Sequence, residues 1–337
     1  MSSGCSFKAV ILAGGSGERF WPLSTPERPK QFLRVFGGAS LIRQAVSRLD
    51  GLVSSKDVFV VTAKNLVAAT RRELPEIPKC NILGEPMRRD TGAAVALGVG
   101  LAASDADPVI GFFSSDQMVS NPKAFRKVVS KSVAIARRKQ VIVTLGIKPT
   151  YPATCFGYIS PKTRTFVEKP DAKTAKKYVK AGYLWNAGMF IARASTFRGA
   201  FAAHAPELER LTRLATDGTC GTGATGGLAK LYSALPKISF DYAVMEKSKN
   251  VEVVPGDFGW DDVGSFAAFD KYFPHDSRGN VREGPCTVVE ADGNICVARS
   301  ARISLLGVKN LVVVTTPDAV LVADKSRLTD MKKLFKR

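Results

Sequence analysis

The chain has 337 residues, 49 of them basic and 30 acidic, which gives a formal charge of +19. Its length leaves room for two or three domains, and 45 % hydrophobic with 23 % charged residues is an ordinary globular composition, which excludes disorder or a fibre for the whole chain. No apolar run approaches the roughly eighteen residues of a membrane span, and Met1–Ser6 has neither the basic nor the apolar region of a signal peptide, so a cytoplasmic protein with no membrane partner is expected.

The first element is Phe7–Ala13, a continuous apolar run followed by glycines, which reads as a strand buried on both faces of a parallel sheet. Strands are expected again at Asp57–Thr62, Val109–Ser114 and Val141–Ile147. Segments of helical period, Thr91–Ala103 and Pro122–Lys139, lie between them. This alternation predicts an α/β fold, a Rossmann-like doubly wound and mostly parallel sheet that binds ligand at the carboxyl ends of its strands. Short strands follow at Phe156–Ser160, Thr165–Glu168 and Gly188–Ala192, with a lysine-rich helix at Asp171–Gly182. The Gly/Thr-rich Asp217–Gly227 reads as a loop, and Phe240–Lys247 and Gly264–Tyr272 as helices. Beyond residue 280 come serial short strands, Thr287–Glu290, Ile295–Ala298, Ile303–Leu306, Leu311–Thr315 and Ala319–Ala323, and then a basic helix, Ser326–Arg337. The expected domains are therefore 7–280 and 281–337, the second a small β-rich domain, a β-helix-like solenoid or a barrel, that ends in a helix.

The charge favours an anionic partner: nucleic acid, a membrane surface or a phosphorylated small molecule. Six scattered cysteines without a Cys-x-x-Cys pair, and two histidines, give no zinc pattern. The first strand runs into Leu12-Ala13-Gly14-Gly15 and Gly17, where missing Cβ atoms let backbone N–H groups approach an anion. The loop is not a dinucleotide fingerprint, because Phe20 stands at the third glycine position and Pro22, Pro26 and Pro29 break the helix. Nor is it a P-loop, since Arg19-Phe20-Trp21 replaces Gly-Lys-Ser/Thr. Arg19 and Lys30, either side of this proline-stiffened segment, suit a triphosphate as fork and point charge. Asp116 follows a buried strand and Asp262 lies between a strand and a helix, so the two carboxylates together with phosphate oxygens suit Mg²⁺. Asp261, adjacent to Asp262, is the competing ligand, and a turn-capping role is the competing one for Asp116.

The stretch Leu12–Leu33, LAGGSGERFWPLSTPERPKQFL, closely resembles the nucleotide-binding signature of sugar-1-phosphate nucleotidyltransferases, and its later part resembles the mannose-1-phosphate guanylyltransferase branch. Phe166–Pro170 (FVEKP), Trp185–Phe190 (WNAGMF), Phe240–Lys247 (FDYAVMEK) and Gly259–Ser265 (GWDDVGS) are similar to that family's later motifs, in the family's order. The likeness extends over the chain from Phe7. It implies guanylyl transfer from GTP to mannose 1-phosphate, giving GDP-mannose and pyrophosphate with Mg²⁺ as cofactor. It further implies catalytic roles for Arg19, Lys30, Asp116, Lys169 and Asp262, with Asp116 and Asp262 holding the metal. The nucleotide set it implies is Leu12, Ala13, Gly14, Gly15, Gly17, Arg19, Lys30, Glu85, Thr91 and Ser115, and the sugar-phosphate set is Gly157, Glu168, Lys169 and Asn186. Asp262 is preferred to Asp261 because the family pattern places the acid directly before Val-Gly-Ser.

Glu85 is the candidate reader of guanine, since a carboxylate accepts from the adjacent N1–H and N2–H groups that adenine does not present; a surface acid is the alternative. Glu168 and Lys169 would face opposite sides of a regular strand, so both meet one ligand only if Pro170 marks a strand end. Two segments depart from the family pattern: Asp116-Gln117, where Asp-His is usual, and Arg89–Ala94 (RDTGAA), where Arg-Asn-Thr-Ala-Pro-Ala is usual. The length leaves no room for the isomerase domain of bifunctional members, and a homodimer is implied by resemblance. Rival readings are a nucleotidyltransferase for another nucleotide and sugar, a non-catalytic sugar-nucleotide-binding relative, and a nucleic-acid binder using the basic helix at 122–139. That helix lacks interleaved aromatics, so a solvated face and no nucleic-acid partner are expected.

Overall fold

A computed structural model of the chain describes residues 6–15, 17–103, 107–216 and 225–335. By packing it forms two compact units, each discontinuous in sequence: Met1–Gly14, Arg43–Ser115 and Val119–Trp260 in the first, Gly15–Ile42, Asp116–Met118 and Asp261–Arg337 in the second. This partition differs from the contiguous 7–280 and 281–337 read from the sequence.

The first unit is an α/β sheet. In spatial order its main strands are Val251–Gly256, Ile142–Ile147, Leu184–Arg193, Val109–Ser114, Phe7–Ala13, Val58–Ala63 and Ile82–Glu85. All neighbours pair in parallel except Leu184–Arg193, which runs antiparallel to both of its partners. The sheet is thus mostly parallel, as expected. The central strand is apolar throughout because both faces are covered: Ala9, Val10 and Ile11 are fully buried. Helix Asp90–Ala102 is buried nearly all round, and Gly98 and Gly100 permit this. A Cβ on Gly98 would meet the Phe112 ring at 2.7 Å, and one on Gly100 would meet Ala215 at 2.4 Å. Helix Pro122–Arg138 is instead amphipathic. The Asn121 side chain caps it by accepting from the Ala124 N–H, Pro122 opens it, and Phe125, Val129, Ser132 and Val133 form its buried face.

Several elements have no counterpart in the sequence reading: strands Ile82–Glu85, Val251–Gly256 and Val281–Glu283, and helices Leu41–Ser47, Val67–Glu73, Ala194–His204 and Pro206–Thr216. The loop expected at Asp217–Gly227 lies outside the described residues as far as 224, and helix Thr225–Ala234 begins at its end. The helix expected at Phe240–Lys247 is a single wide π turn, Asp241–Met245. No helix among the described residues is long and apolar enough to cross a membrane.

The second unit contains a parallel β-helix. Val281–Glu283, Ile295–Ala298 and Leu311–Thr315 stack in parallel on one side, and Cys286–Val289 stacks on Ile303–Leu306 on another. Val320–Asp324 closes the stack antiparallel to Leu311–Thr315. The terminal helix is a tight 3₁₀ helix, Lys325–Phe335. Inside a turn of the stack, Asn280 and Asn294 replace backbone pairing. The Asn280 Oδ1 accepts from the Asn294 N–H and Nδ2, both at 2.9 Å, and the Asn294 Oδ1 accepts from the Leu311 N–H at 2.9 Å. Asn294 is completely buried. Replacing it by Ala strands several buried partners, so Asn294→Ala is expected to lower the unfolding free energy by about 3 kcal/mol, read from denaturant titration against wild type.

Candidate active site

In the second unit the geometry begins with Gly17. Its φ is +64°, and a Cβ there would lie 2.4 Å from the Lys30 backbone nitrogen, so only glycine fits under Lys30. Pro29 leads into a short 3₁₀ turn, Lys30–Phe32, which leaves Lys30 only 5 % exposed. Its Nζ donates to Asp116 Oδ2 at 3.0 Å and to the Asp262 carbonyl at 2.7 Å, and it lies 6.0 Å from the centre of the Phe20 ring. Arg19 Nη2 is 4.0 Å from Asp262 Oδ2. Gly264 leaves space for that pair, because a Cβ would meet Arg19 Nη1 at 3.1 Å and Asp262 Oδ2 at 3.2 Å. Burial pushes the Asp262 carboxyl above its ordinary range; Lys30 and Arg19 oppose this, while Asp116 and Asp261 add to it.

The neighbouring acid is used differently. Asp261 Oδ1 accepts from the Val263 N–H at 2.7 Å and Oδ2 takes Lys271 Nζ at 2.5 Å. Val263 is fully buried and holds φ +47°, a strained value for a β-branched residue. Asp261 and Val263 therefore fix the backbone that offers the Asp262 carbonyl to Lys30, which leaves the Asp262 side chain to the cavity-facing Arg19. Arg19, Lys30, Asp116 and Gly17 line a cavity of about 200 Å³. Among the described residues no three His, Cys, Asp or Glu side chains gather as a metal group. Asp116, whose carboxylate meets Lys30, and Asp262, whose carboxylate faces Arg19 and feels the Asp116 charge, are a two-carboxylate set of the kind that Mg²⁺ takes alongside phosphate oxygens.

The first unit holds the remaining candidates in two groups. Strand Phe166–Val167 ends before Glu168, and Lys169 turns to φ +45°, so the two side chains meet: Lys169 Nζ is 2.9 Å from Glu168 Oε1. Burial works to lower the Lys169 pKa, but Glu168 and Asp241 outweigh it and the net shift is upward. Gly157 serves the carboxylate, since a Cβ would stand 2.5 Å from Glu168 Oε2. Asn186 is tied on both ends. Its Nδ2 donates to Asp241 Oδ1 at 2.8 Å, and its Oδ1 accepts from Thr144 Oγ1 at 2.7 Å and from the Gly188 N–H at 3.1 Å. Asp241 was not singled out from the sequence. Burial, with the Glu168 charge added, lifts its carboxyl to about 7. The FDYAVMEK motif was its only visible signal.

Glu85 ends the edge strand Ile82–Glu85 and is 8 % exposed. Tyr232 donates to its Oε1 at 3.3 Å, and a Cβ on Gly14 would lie 3.3 Å from its Oε2. With Gly14, Lys64, Met87 and Arg88 it lines a cavity of about 520 Å³, within the size range of small-ligand pockets. Burial raises the Glu85 carboxyl from 4.5 to about 7. Other members of the nucleotide set also make hydrogen bonds within the fold. Ala13 accepts through its carbonyl from Thr62, Leu12 through its carbonyl from the Ser115 N–H, and Thr91 Oγ1 from the Phe240 N–H. Gly92, in the segment that departs from the family pattern, donates to the Ile238 carbonyl at 3.1 Å, where a Cβ would come within 2.7 Å.

A family model described as nucleotidyl transferase matches residues 8–278, and one described as MannoseP isomerase/GMP-like beta-helix domain matches 284–337. The mannose-1-phosphate guanylyltransferase RfbM of Salmonella typhimurium is 36 % identical, covering 98 % of this chain and 72 % of its own length. A mannose-1-phosphate guanylyltransferase of Escherichia coli is 34 % identical, with 97 % and 72 % covered. A crystal structure from Thermus thermophilus, named mannose-1-phosphate geranyltransferase, superposes with a TM-score of 0.88 at 34 % identity, covering 98 % of this chain and 99 % of that one.

The Glu85 shift carries a sign. Between pH 4.5 and about 7 the folded protein retains a proton that the unfolded chain has lost, so Glu85 makes stability fall as pH rises through that window. Unfolding free energies measured from pH 4 to 8 are expected to show Glu85→Gln gaining about 3 kcal/mol on wild type across the window.

Proposed function

Because the chain belongs to the nucleotidyl transferase family, and within it to the mannose-1-phosphate guanylyltransferases, we propose that it transfers a guanylyl group from GTP to α-D-mannose 1-phosphate. A phosphate oxygen of the sugar phosphate attacks the α-phosphorus of GTP in line; the α–β bridging bond breaks, and GDP-mannose and pyrophosphate leave. The nucleophile is a phosphate monoester with a second pKa near 6, already mostly ionised at neutral pH, so no general base is needed. The work left to the protein is positioning and charge neutralisation.

The observation that carries this reading is Lys30, which lines one cavity with Asp116 and Arg19 and is bonded to Asp116 and to the Asp262 carbonyl. Its ammonium is oriented by two hydrogen bonds, so little rotamer entropy remains to be lost when it meets the leaving pyrophosphate. Arg19 supplies a second cation there. Asp116 and Asp262 would hold Mg²⁺, which when bound supplies positive charge to the phosphates. Glu168 accepts from sugar hydroxyls, with Gly157 giving its carboxylate room, and Lys169 orients the sugar phosphate. Asn186 fixes this floor through Thr144 and Asp241. Glu85, once ionised, accepts from guanine N1–H and N2–H, and Gly14 leaves its carboxylate accessible to the base.

The test is pyrophosphate release with GTP and mannose 1-phosphate, run beside the other nucleoside triphosphates and glucose and fucose 1-phosphates, with and without Mg²⁺. Activity is expected with GTP, mannose 1-phosphate and Mg²⁺, and both Lys30→Ala and Lys169→Ala are expected to lose about 10²–10³-fold in kcat. Turnover at wild-type rate in both variants would remove their roles, and preference for another substrate pair would move the activity elsewhere in the family. We also read the enzyme as a cytoplasmic protein and a homodimer; Val289, Leu306, Val320 and Val322, all exposed on the β-helix, support the dimer. Light scattering is expected to give twice the 36.2 kDa chain mass.

A further inference from the structure

Basic residues in the terminal 3₁₀ helix have different partners. Arg327 Nε and Lys333 Nζ both pair with Asp330, at 2.7 and 3.0 Å, and Lys325 Nζ reaches Asp270 at 2.7 Å and the Gly293 carbonyl at 3.0 Å. Lys332 makes no hydrogen bond or ion pair among the described residues, and it lines the same cavity as Arg19, Lys30 and Asp116. Its position is fixed from both sides. Leu328 and Met331 are buried in the apolar cluster that contains Phe20 and Val263, and the Phe335 ring meets Trp21 edge-on at 5.8 Å. The helix is thereby clamped to the turn Glu18–Phe20, which carries Arg19. A 3₁₀ run of eleven residues is unusually long for that geometry, which marks a segment shaped by its packing.

The cavity lining carries three cations, Arg19, Lys30 and Lys332, against two carboxylates, Glu18 and Asp116. Lys30 is matched by Asp116, and Arg19 approaches Asp262, whereas Lys332 adds a cation beside them with no carboxylate in contact. Glu18 also lines the cavity, but no ion pair joins it to Lys332. The unpaired Lys332 leaves the lining with one positive charge in excess, which favours an anionic ligand. We propose that Lys332 is a phosphate-binding residue, whose ammonium takes the pyrophosphate portion of the nucleoside triphosphate, so that the C-terminal segment completes the nucleotide site. This rests on the nucleotidyl transfer reading and adds to it a residue from outside the signature loop. It also gives the one basic residue of this helix without an ion pair among the described residues an anionic partner.

The experiment is calorimetric binding of pyrophosphate and of GMP to the full chain, with turnover measured on the same preparations. The variants are Lys332→Gln, Lys332→Arg and Lys333→Gln. Lys332 is exposed, so its replacement leaves the core intact, which the thermal midpoint checks. Expected are pyrophosphate affinity about tenfold weaker in Lys332→Gln, recovery in Lys332→Arg, no change in Lys333→Gln, and GMP affinity unaltered throughout. Equal pyrophosphate affinity in wild type and Lys332→Gln, with wild type active, overturns the inference and leaves the enzyme reading standing. Equal losses in Lys332→Gln and Lys333→Gln also overturn it, since they would report general surface charge. A wild type that binds neither ligand and releases no pyrophosphate defeats the enzyme reading itself.

Discussion

The second unit hangs on a single buried ammonium. It is assembled from three stretches of chain, and Lys30 from the first bonds Asp116 in the second and the Asp262 carbonyl in the third. A lysine so deeply buried is tolerable only when its charge is met, and breaking one side of such a pair is far more costly than its net worth. The same bonds that join the stretches therefore fix where the charge for phosphate chemistry stands. Gly17 and the strained Val263 follow from this constraint: one makes room under Lys30 and the other holds the Asp262 carbonyl in place.

In the first unit, interior polar networks do comparable work. Asn186 joins Thr144 on one strand to Asp241 on the π turn, while Glu246 accepts from the Glu168 N–H at 2.7 Å. Fully partnered networks of this kind specify one arrangement. Here they hold Glu168 and Lys169 just past a strand end, with the lysine in a left-handed backbone conformation that ordinary strand geometry would not supply.

How much of this was legible follows from the physics of each element. Phe7–Ala13 and Val109–Ser114 are buried on both faces, so their apolar runs are continuous and their bounds are plain in the sequence. The missed strands Ile82–Glu85 and Val251–Gly256 are the two edges of the sheet. Edges are short or carry proline, as Pro255 does here, and these features are the ones that argue against a strand when no neighbour is visible. The Glu168–Lys169 alternative needed the observed end of the preceding strand to resolve it. Between Asp261 and Asp262 the residues alone leave the choice open and the family pattern favours Asp262; the Val263 and Lys271 contacts show what Asp261 does instead. Local pattern also cannot show that residues 15–42 pack with 261–337, because every contact that makes them one unit is long-range.

The apolar cluster of the second unit has a consequence for inheritance. Phe20, Leu33 and Phe36 from the loop share it with Val281, Ile295 and Val312 of the β-helix and with Met331 of the last helix. A recombination joint near residue 280 would part the loop from half of its packing, although sequence composition suggests a natural seam there. A change of side-chain volume in the loop is therefore met by the β-helix across this shared cluster, and the reverse holds as well.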